Sequence, residues 1–394
     1  MRRVKNFYKK ALEVSIEVKC SGCSACAAVC PKENCIKIEY NADGFLRPVK
    51  DDTICVHCGL CEKVCPMKAA HGCFLDECEL YSAWADAEGR KQSSSGGIAA
   101  VLAEYAVAHG YEVCGAIMDY NTLSVRHKIF ERGEDLKPLR GSKYLQSNVL
   151  PAFCEVLNRL KQFPQKKFVV FGTPCQISGF RNVLEIYGWL DRVVLIDIFC
   201  HGVPSNFLWT KYMKWVTRKM KLNATDNIRS ILFRDKSYSW HEYFMNINGG
   251  GTAYVASREK DPFLKLFSMG VVNQESCFTC PFRNETSADI RLGDYWGERF
   301  KNNEDGVSMV LINGSRGLAL LNAVSDKVTI NRQDITDRFG QQHTDYDYPK
   351  YYEKSLELLK NSKSEFKDVI GLYESNFDRF KRRVKKIIKR MLCA

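Results

Sequence analysis

Between Cys20 and Pro66 the chain carries one cysteine pattern twice, and few folds can hold it. Each copy reads Cys-x-x-Cys-x-x-Cys-x-x-x-Cys-Pro, and each cysteine of the first recurs 35 positions later: Cys20 and Cys55, Cys23 and Cys58, Cys26 and Cys61, Cys30 and Cys65. Such self-similarity marks an internal repeat. An iron–sulfur cubane needs four converging thiolates, and two-residue spacers wrap backbone around it so that three sulfurs reach three iron corners. In the bacterial two-cluster arrangement the fourth cysteine of each run serves the other cluster. The spacing therefore predicts one 4Fe-4S cluster on Cys20, Cys23, Cys26 and Cys65, and a second on Cys55, Cys58, Cys61 and Cys30. The rival readings fit less well. Zinc sites usually offer two Cys-x-x-Cys pairs, and disulfide frameworks belong to small secreted chains.

A length of 394 residues exceeds what a ferredoxin needs and allows two or three domains. Eighteen cysteines behind an opening without an apolar signal-peptide core point to a reducing cytoplasm. No uncharged apolar run approaches the ~18 residues of a membrane span. The net charge of +12 lies mostly in the tail: residues 377–394 hold eight Lys or Arg and one Asp. The body is therefore not expected to bind nucleic acid. In the tail, Phe377, Phe380, Val384, Ile387, Ile388 and Met391 share one helical face and basic residues cover much of the rest. That pattern fits either a helix packed on the body or a reversible contact with anionic membrane at the inner face.

Residues 1–19 read as a short amphipathic helix, and the stretch between the cysteine runs as a hairpin turning at Asp43-Gly44. Cys73 and Cys78 read as ordinary thiols. From Leu80 the pattern changes to alternating strands and helices, an α/β signature. Strands are expected at 80–87, 111–118, 125–131, 166–171, 193–199, 228–234, 243–247 and 307–312, and helices from about 97, at 148–162 and at 205–221. The Gln92-Ser-Ser-Ser-Gly-Gly97 turn opens a helix and reads equally as a phosphate cradle or as a plain N-cap with tight packing. Two apolar strands run into Cys175 and Cys200, and ligands collect at the carboxyl ends of such strands. Cys277 and Cys280 add a Cys-x-x-Cys turn closed by Pro281. These four predict a third 4Fe-4S cluster, with a four-thiolate zinc site as the rival.

In their order, the paired cysteine runs, Ser-Ser-Ser-Gly-Gly at 93–97, Gly-Ser-Lys-Tyr at 141–144, Phe-Gly-Thr-Pro-Cys-Gln at 171–176, Cys-His-Gly at 200–202, Cys-x-x-Cys-Pro at 277–281 and Gly-Asp-Tyr-Trp-Gly at 293–297 resemble the coenzyme F420 hydrogenase/dehydrogenase beta-subunit family. The resemblance implies a two-cluster ferredoxin module (1–78), an α/β (α+β overall) flavin-type catalytic domain (79–345) and a helical basic extension (346–394). It implies FAD, with Ser94, Ser95, Gly96, Gly97, Lys143, Tyr144, Thr173 and Gln176 near it. It also implies an oxidoreductase exchanging electrons with a soluble carrier such as coenzyme F420 or with a redox partner protein. No Gly-x-Gly-x-x-Gly follows a strand, so a Rossmann site is not expected. Two rivals stand beside this reading: an electron carrier with a flavin-free docking domain, and a reductive enzyme of surface-polysaccharide synthesis.

Overall fold

A computed structural model describes residues 19–68, 72–222, 227–340 and 347–374. The expected amphipathic helix over 1–19 lies almost wholly outside these residues, and the basic tail lies entirely outside them. Among the described residues no helix is long and apolar enough to cross a membrane.

The cysteine repeat is also a repeat of backbone. Short helices α1 (Ala25–Ala28) and α2 (Leu60–Lys63) stand 35 residues apart and flank the hairpin β1 (Ile36–Tyr40) and β2 (Leu46–Lys50). Left-handed φ recurs at matching positions, in Gly22 and His57 and again in Ser24 and Gly59. The first cysteine loop of each copy is closed alike: the Gly22 amide donates to Cys20 Sγ at 3.3 Å and the His57 amide to Cys55 Sγ at 3.4 Å. The loops need left-handed residues because a chain curling round a cluster must turn its amides inward. That His57 adopts φ 51 without being glycine shows how firmly the loop imposes the turn. The hairpin turns where the sequence predicted, with the Asn41 side chain accepting from the Asp43 and Phe45 amides.

The following chain builds β3 (Cys73–Phe74), β4 (Glu79–Ala85), α3 (Ala87–Lys91), α4 (Ile98–Ala108), β5 (Tyr111–Asp119), β6 (Ser124–Phe130), β7 (Ser147–Asn148), α5 (Leu150–Gln162), β8 (Lys167–Phe171), α6 (Pro174–Tyr187), β9 (Val193–Ile198) and α7 (Asn206–Lys219). Then come β10 (Ile228–Asp235), β11 (Phe244–Gly249), β12 (Thr252–Ser257), α8 (Pro262–Ser268), β13 (Glu285–Thr286), β14 (Ile290–Asp294), β15 (Ser308–Ile312), α9 (Gly314–Asn322), β16 (Val328–Gln333), α10 (Tyr352–Lys360) and α11 (Phe366–Tyr373).

Nine strands form one mixed sheet in the order β16-β4-β15-β14-β9-β8-β5-β6-β7. Its centre is parallel: β14 beside β9, β9 beside β8 and β8 beside β5. The outer part from β15 to β16 is antiparallel. The fold is thus α/β at its centre and α+β overall, as expected. β14 runs through the Asp-Ile-Arg-Leu-Gly-Asp stretch, whose charged residues hide a strand from any hydrophobic pattern. A second sheet, β10-β11-β12, packs with α7, α8, α10 and α11 around Trp209, Tyr212, Phe263 and Phe366. Trp209 and Tyr212 are therefore core residues, with Phe207 and Trp215 packed against them.

The cysteine module does not hold a core of its own. Cys23, Ala25, Val29 and Val64 belong to the same buried cluster as Val149, Phe153, Phe180 and Leu195. Polar contacts reinforce the seam: Asn182 Nδ2 donates to Val64 O at 3.2 Å, the Leu46 amide to Gln146 Oε1 at 2.8 Å, and Gln274 Nε2 to Ser21 O at 3.0 Å. A Cβ on Gly179 of α6 would lie 2.8 Å from Ala25 Cβ and 3.0 Å from Cys23 Sγ. Glycine there lets the helix press against the first cysteine loop.

Candidate functional site

Three groups of cysteines emerge from the fold. In the first, burial pushes the Cys26 thiol up to about 12, with Cys20, Cys65 and Cys61 as its charged neighbours. Burial also holds Cys23 well above its usual range, next to Cys175, Cys26 and Cys20. The second group is more open. Cys30 and Cys55 both hydrogen-bond to Cys35, whose thiol is pushed up to about 11 chiefly by desolvation. Cys55 and Cys61 both act on the Lys50 ammonium, and Cys58 is exposed.

The third group lies at the carboxyl edge of the parallel strands. β8 and β9 are register-paired neighbours, Phe171 opposite Ile196, so the segments leaving them stand side by side and carry Cys175 and Cys200. Cys277 and Cys280 close the opposite wall of one pocket, which Ser21, Thr173, Gln274 and Arg283 also line. Burial raises all four thiols: Cys200 to about 12 and Cys280 to about 11, Cys277 well above its usual range, and Cys175 as well. Like-charge repulsion among them adds to the effect. Such a pocket keeps thiols protonated unless a cationic centre offsets their charge, so its donor set suits a metal or an iron–sulfur cluster. Among the described residues no group of three or more His, Cys, Asp or Glu closes into a shell for a metal ion; the cysteines surround openings instead.

Behind this pocket sits a fully buried ion pair. Arg291 of β14 is the register partner of Asp197 on β9 and binds it through two 2.7 Å hydrogen bonds. The same guanidinium donates to Phe282 O and Glu285 O, and so ties down the chain that follows Cys280.

The eight residues expected near a flavin divide between two places. Thr173 and Gln176 sit at the start of α6, where the Thr173 amide donates to Gln176 Oε1 and Gln176 Nε2 to Ser147 O. Thr173 Oγ1 also lies 3.3 Å from Cys175 Sγ, so this end of the helix faces the four-cysteine pocket. Gly96 is pressed between Ala83 and Ser308, and its amide donates to Ser308 Oγ. Gly97, with φ 90, leads α4 without a side-chain cap. Ser94 Oγ accepts the Ser142 amide at 3.1 Å, which joins the two small-residue loops. Lys143 faces the carbonyls of Pro138, Leu139, Arg140 and Gly141, and burial draws its pKa down to about 7. Tyr144 stacks on Phe267 at 4.3 Å and has the charges of Arg234 and Asp294 nearby.

Arg234 was not among the expected site residues. Its Nη1 donates to Asp294, which also accepts from Trp240 Nε1 at 2.9 Å, and its guanidinium lies over the Trp296 ring. Yet its Nε and Nη2 are buried without a hydrogen-bond partner among the described residues. Two residues along, Lys236 donates to Ser95 O and lines a cavity of about 870 Å³ together with Trp84, Arg90, Lys91 and Lys327. Burial lowers Lys236 to about 8. Orphaned cationic N–H groups beside a lysine-rich cavity suit the oxygens of an anionic or carbonyl-rich ligand. The sequence offered one signal for this place, the Asp-Tyr-Trp at 294–296 that partners Arg234.

Comparison with known proteins follows the same division. Residues 19–69 match the family described as 4Fe-4S dicluster domain, and residues 165–338 match the family described as the C terminus of the coenzyme F420 hydrogenase/dehydrogenase beta subunit. The chain is 23% identical over 327 residues to a coenzyme F420-dependent sulfite reductase of Methanocaldococcus jannaschii, covering 74% of this chain but 49% of that protein. This chain thus spans about half the length of that relative. It is 26% identical over 354 residues to an uncharacterised protein of the same organism, covering 80% and 89%. To the coenzyme F420 hydrogenase subunit beta of Methanococcus voltae it is 21% identical over 213 residues, covering 53% and 66%. A chain of the F420-reducing NiFe hydrogenase complex from Methanosarcina barkeri aligns with a TM-score of 0.45 and 19% identity, over 64% of this chain and 81% of that one. With a 4Fe-4S cluster-binding domain at its front and the family's C-terminal region behind it, the chain belongs to the coenzyme F420 hydrogenase/dehydrogenase beta subunit family.

Proposed function

We propose that this protein is an iron–sulfur flavoprotein oxidoreductase that passes electrons between a reduced soluble carrier, coenzyme F420 or one of similar chemistry, a flavin and three 4Fe-4S clusters. The observation that supports it most is a continuous line of groups. It runs from the Arg234 and Lys236 crevice through Ser94, Ser142 and Lys143 to His127, whose Nε2 lies 2.9 Å from Phe171 O. From there it continues through Thr173 to the four-cysteine pocket and on to Cys23. A flavin takes two electrons together and releases them singly, which is what a carrier of hydride and a row of clusters require between them.

In this reading the flavin lies where the 93–97 and 140–144 loops meet, and Arg234 supplies donors to its oxygens. FAD fits the orphaned Arg234 donors and the neighbouring cations. Thr173 and Gln176 act on the helix cap that carries Cys175. The carrier enters the cationic cavity. The protein works with a redox partner, and its basic tail makes reversible contact with anionic membrane.

The experiment is anaerobic reconstitution of the full chain with iron, sulfide and FAD. Bound flavin and about twelve irons are expected, and Arg234→Leu should release the flavin while leaving the iron in place. Iron without extractable flavin in the unmodified chain would instead favour the flavin-free carrier. A further expected outcome concerns the ferredoxin module: Cys58→Ala should remove about four irons and spare the others, measured by iron analysis. An unchanged iron count would overturn the ligand role of Cys58.

A further inference from the structure

Cys73 and Cys78 belong to none of the three cysteine groups, and the fold sets them face to face. Their sulfurs are 3.4 Å apart, and a disulfide bond of ~2.05 Å needs each to move by less than about 1 Å. The loop between them is held from both sides. Cys73 pairs with Thr286 across β3 and β13, the Leu75 amide donates to Asn284 O, and the Cys78 amide closes a tight turn onto Leu75 O. Leu75 is buried beneath that turn. Cys78 points inward at 8% exposure, while Cys73 is partly open to solvent. The hydrogen bond between them pulls the Cys73 thiol below its ordinary value and pushes Cys78 up. The outer sulfur is therefore the better nucleophile of the two.

The surroundings single this pair out from the other spare cysteines. Arg291 has Cys78 and Cys280 as neighbouring thiols, and its charge also acts on Cys73 and Cys200. One buried guanidinium thus lies between the pair and the four-cysteine pocket. Thr286, the register partner of Cys73, donates to the Asp197 carboxylate that holds Arg291. Cys114, by contrast, is buried in the central sheet.

We propose that Cys73 and Cys78 are a redox-active pair that interconverts between dithiol and disulfide, exchanging its electrons with the adjacent four-cysteine pocket. On oxidation both S–H bonds break, one S–S bond forms, two protons leave through the open Cys73 side, and two electrons depart singly. Reduction reverses each step. The pair gives the protein a two-electron store at the far side of the pocket from the flavin, and Cys73 is the sulfur able to exchange with an external disulfide. The electron route rests on the iron–sulfur reading of the pocket; the disulfide itself does not.

Both cysteines fall in one tryptic peptide, residues 69–90, with no other cysteine in it. The reconstituted full-length protein is treated with oxidised glutathione under argon, alkylated and digested. The expected peptide is unalkylated and lighter than the dithiol form by two hydrogens. Two equivalents of reduced methyl viologen, a one-electron donor, should restore the dithiol. In Cys277→Ser/Cys280→Ser, or in Cys175→Ser should the double variant fail to fold, viologen should leave the disulfide intact while a phosphine still reduces it. In Cys78→Ser, Cys73 should carry a glutathione adduct in place of the internal bond. A peptide 69–90 that stays fully alkylated in the unmodified protein overturns the pair. A disulfide that viologen reduces as well in the pocket variants overturns the electron route. Iron content measured on the same samples separates these results from failure of the cluster reading.

Discussion

Changing Cys277 and Cys280 together to Ser in the full-length protein should lower its iron from about twelve to about eight and leave the ferredoxin-type iron in place. The argument rests on where the four thiols sit. Cys175 and Cys200 leave adjacent parallel strands, and the loop holding Cys277 and Cys280 faces them across one pocket. Removing two of four donors leaves two protonated, buried thiols that hold no cluster. Electrons from a reduced carrier should then still bleach the flavin but no longer reach the ferredoxin module, a loss that stopped-flow absorbance would resolve. The assay uses the whole chain because the module and the sheet share a core. Zinc recovered in place of iron from the anaerobic, unmodified protein would sink this prediction, as would an iron count that the double substitution leaves unchanged.

The second large effect is on stability. Arg291 and Asp197 are both fully buried and bind each other through two hydrogen bonds. Truncating one partner of a buried pair strands the other charge in low dielectric and costs about 3–5 kcal/mol. Arg291→Leu and Asp197→Leu should each destabilise the fold by that much, measured by denaturant unfolding. The double variant should be less destabilised than the sum of the two, because it leaves no lone charge. Arg291→Leu should also weaken iron retention in the four-cysteine pocket, since it frees Phe282 O and Glu285 O. A shift under about 1 kcal/mol in either single variant would mean that water relaxes the pair.

Local spacing and hydrophobic period were enough to read the duplicated cysteine loops, the hairpin between them, most strands of the large sheet, and the arrival of Cys175 and Cys200 at strand ends. These features depend on residues within a few positions of one another, or on the burial pattern of a single element. Thr173 and Gln176 carried a local helix-capping signal too, although their facing the cysteine pocket depended on the neighbours that the fold supplied. Strand order was beyond such reading. β14 lies beside β9 because Asp197 and Arg291, 94 residues apart, satisfy each other inside the sheet, and charged residues in a strand erase the apolar pattern that would announce it. The meeting of Cys73 with Cys78 required β3 to pair with β13 more than 200 residues away, so sequence alone showed only two thiols five positions apart. Arg234 became visible only when burial removed its water and left two N–H groups without acceptors. Cysteine identity and spacing were legible because cluster chemistry is written in short loops; the crevice, the ion pair and the dithiol are long-range contacts, which exist only once the strands have been ordered.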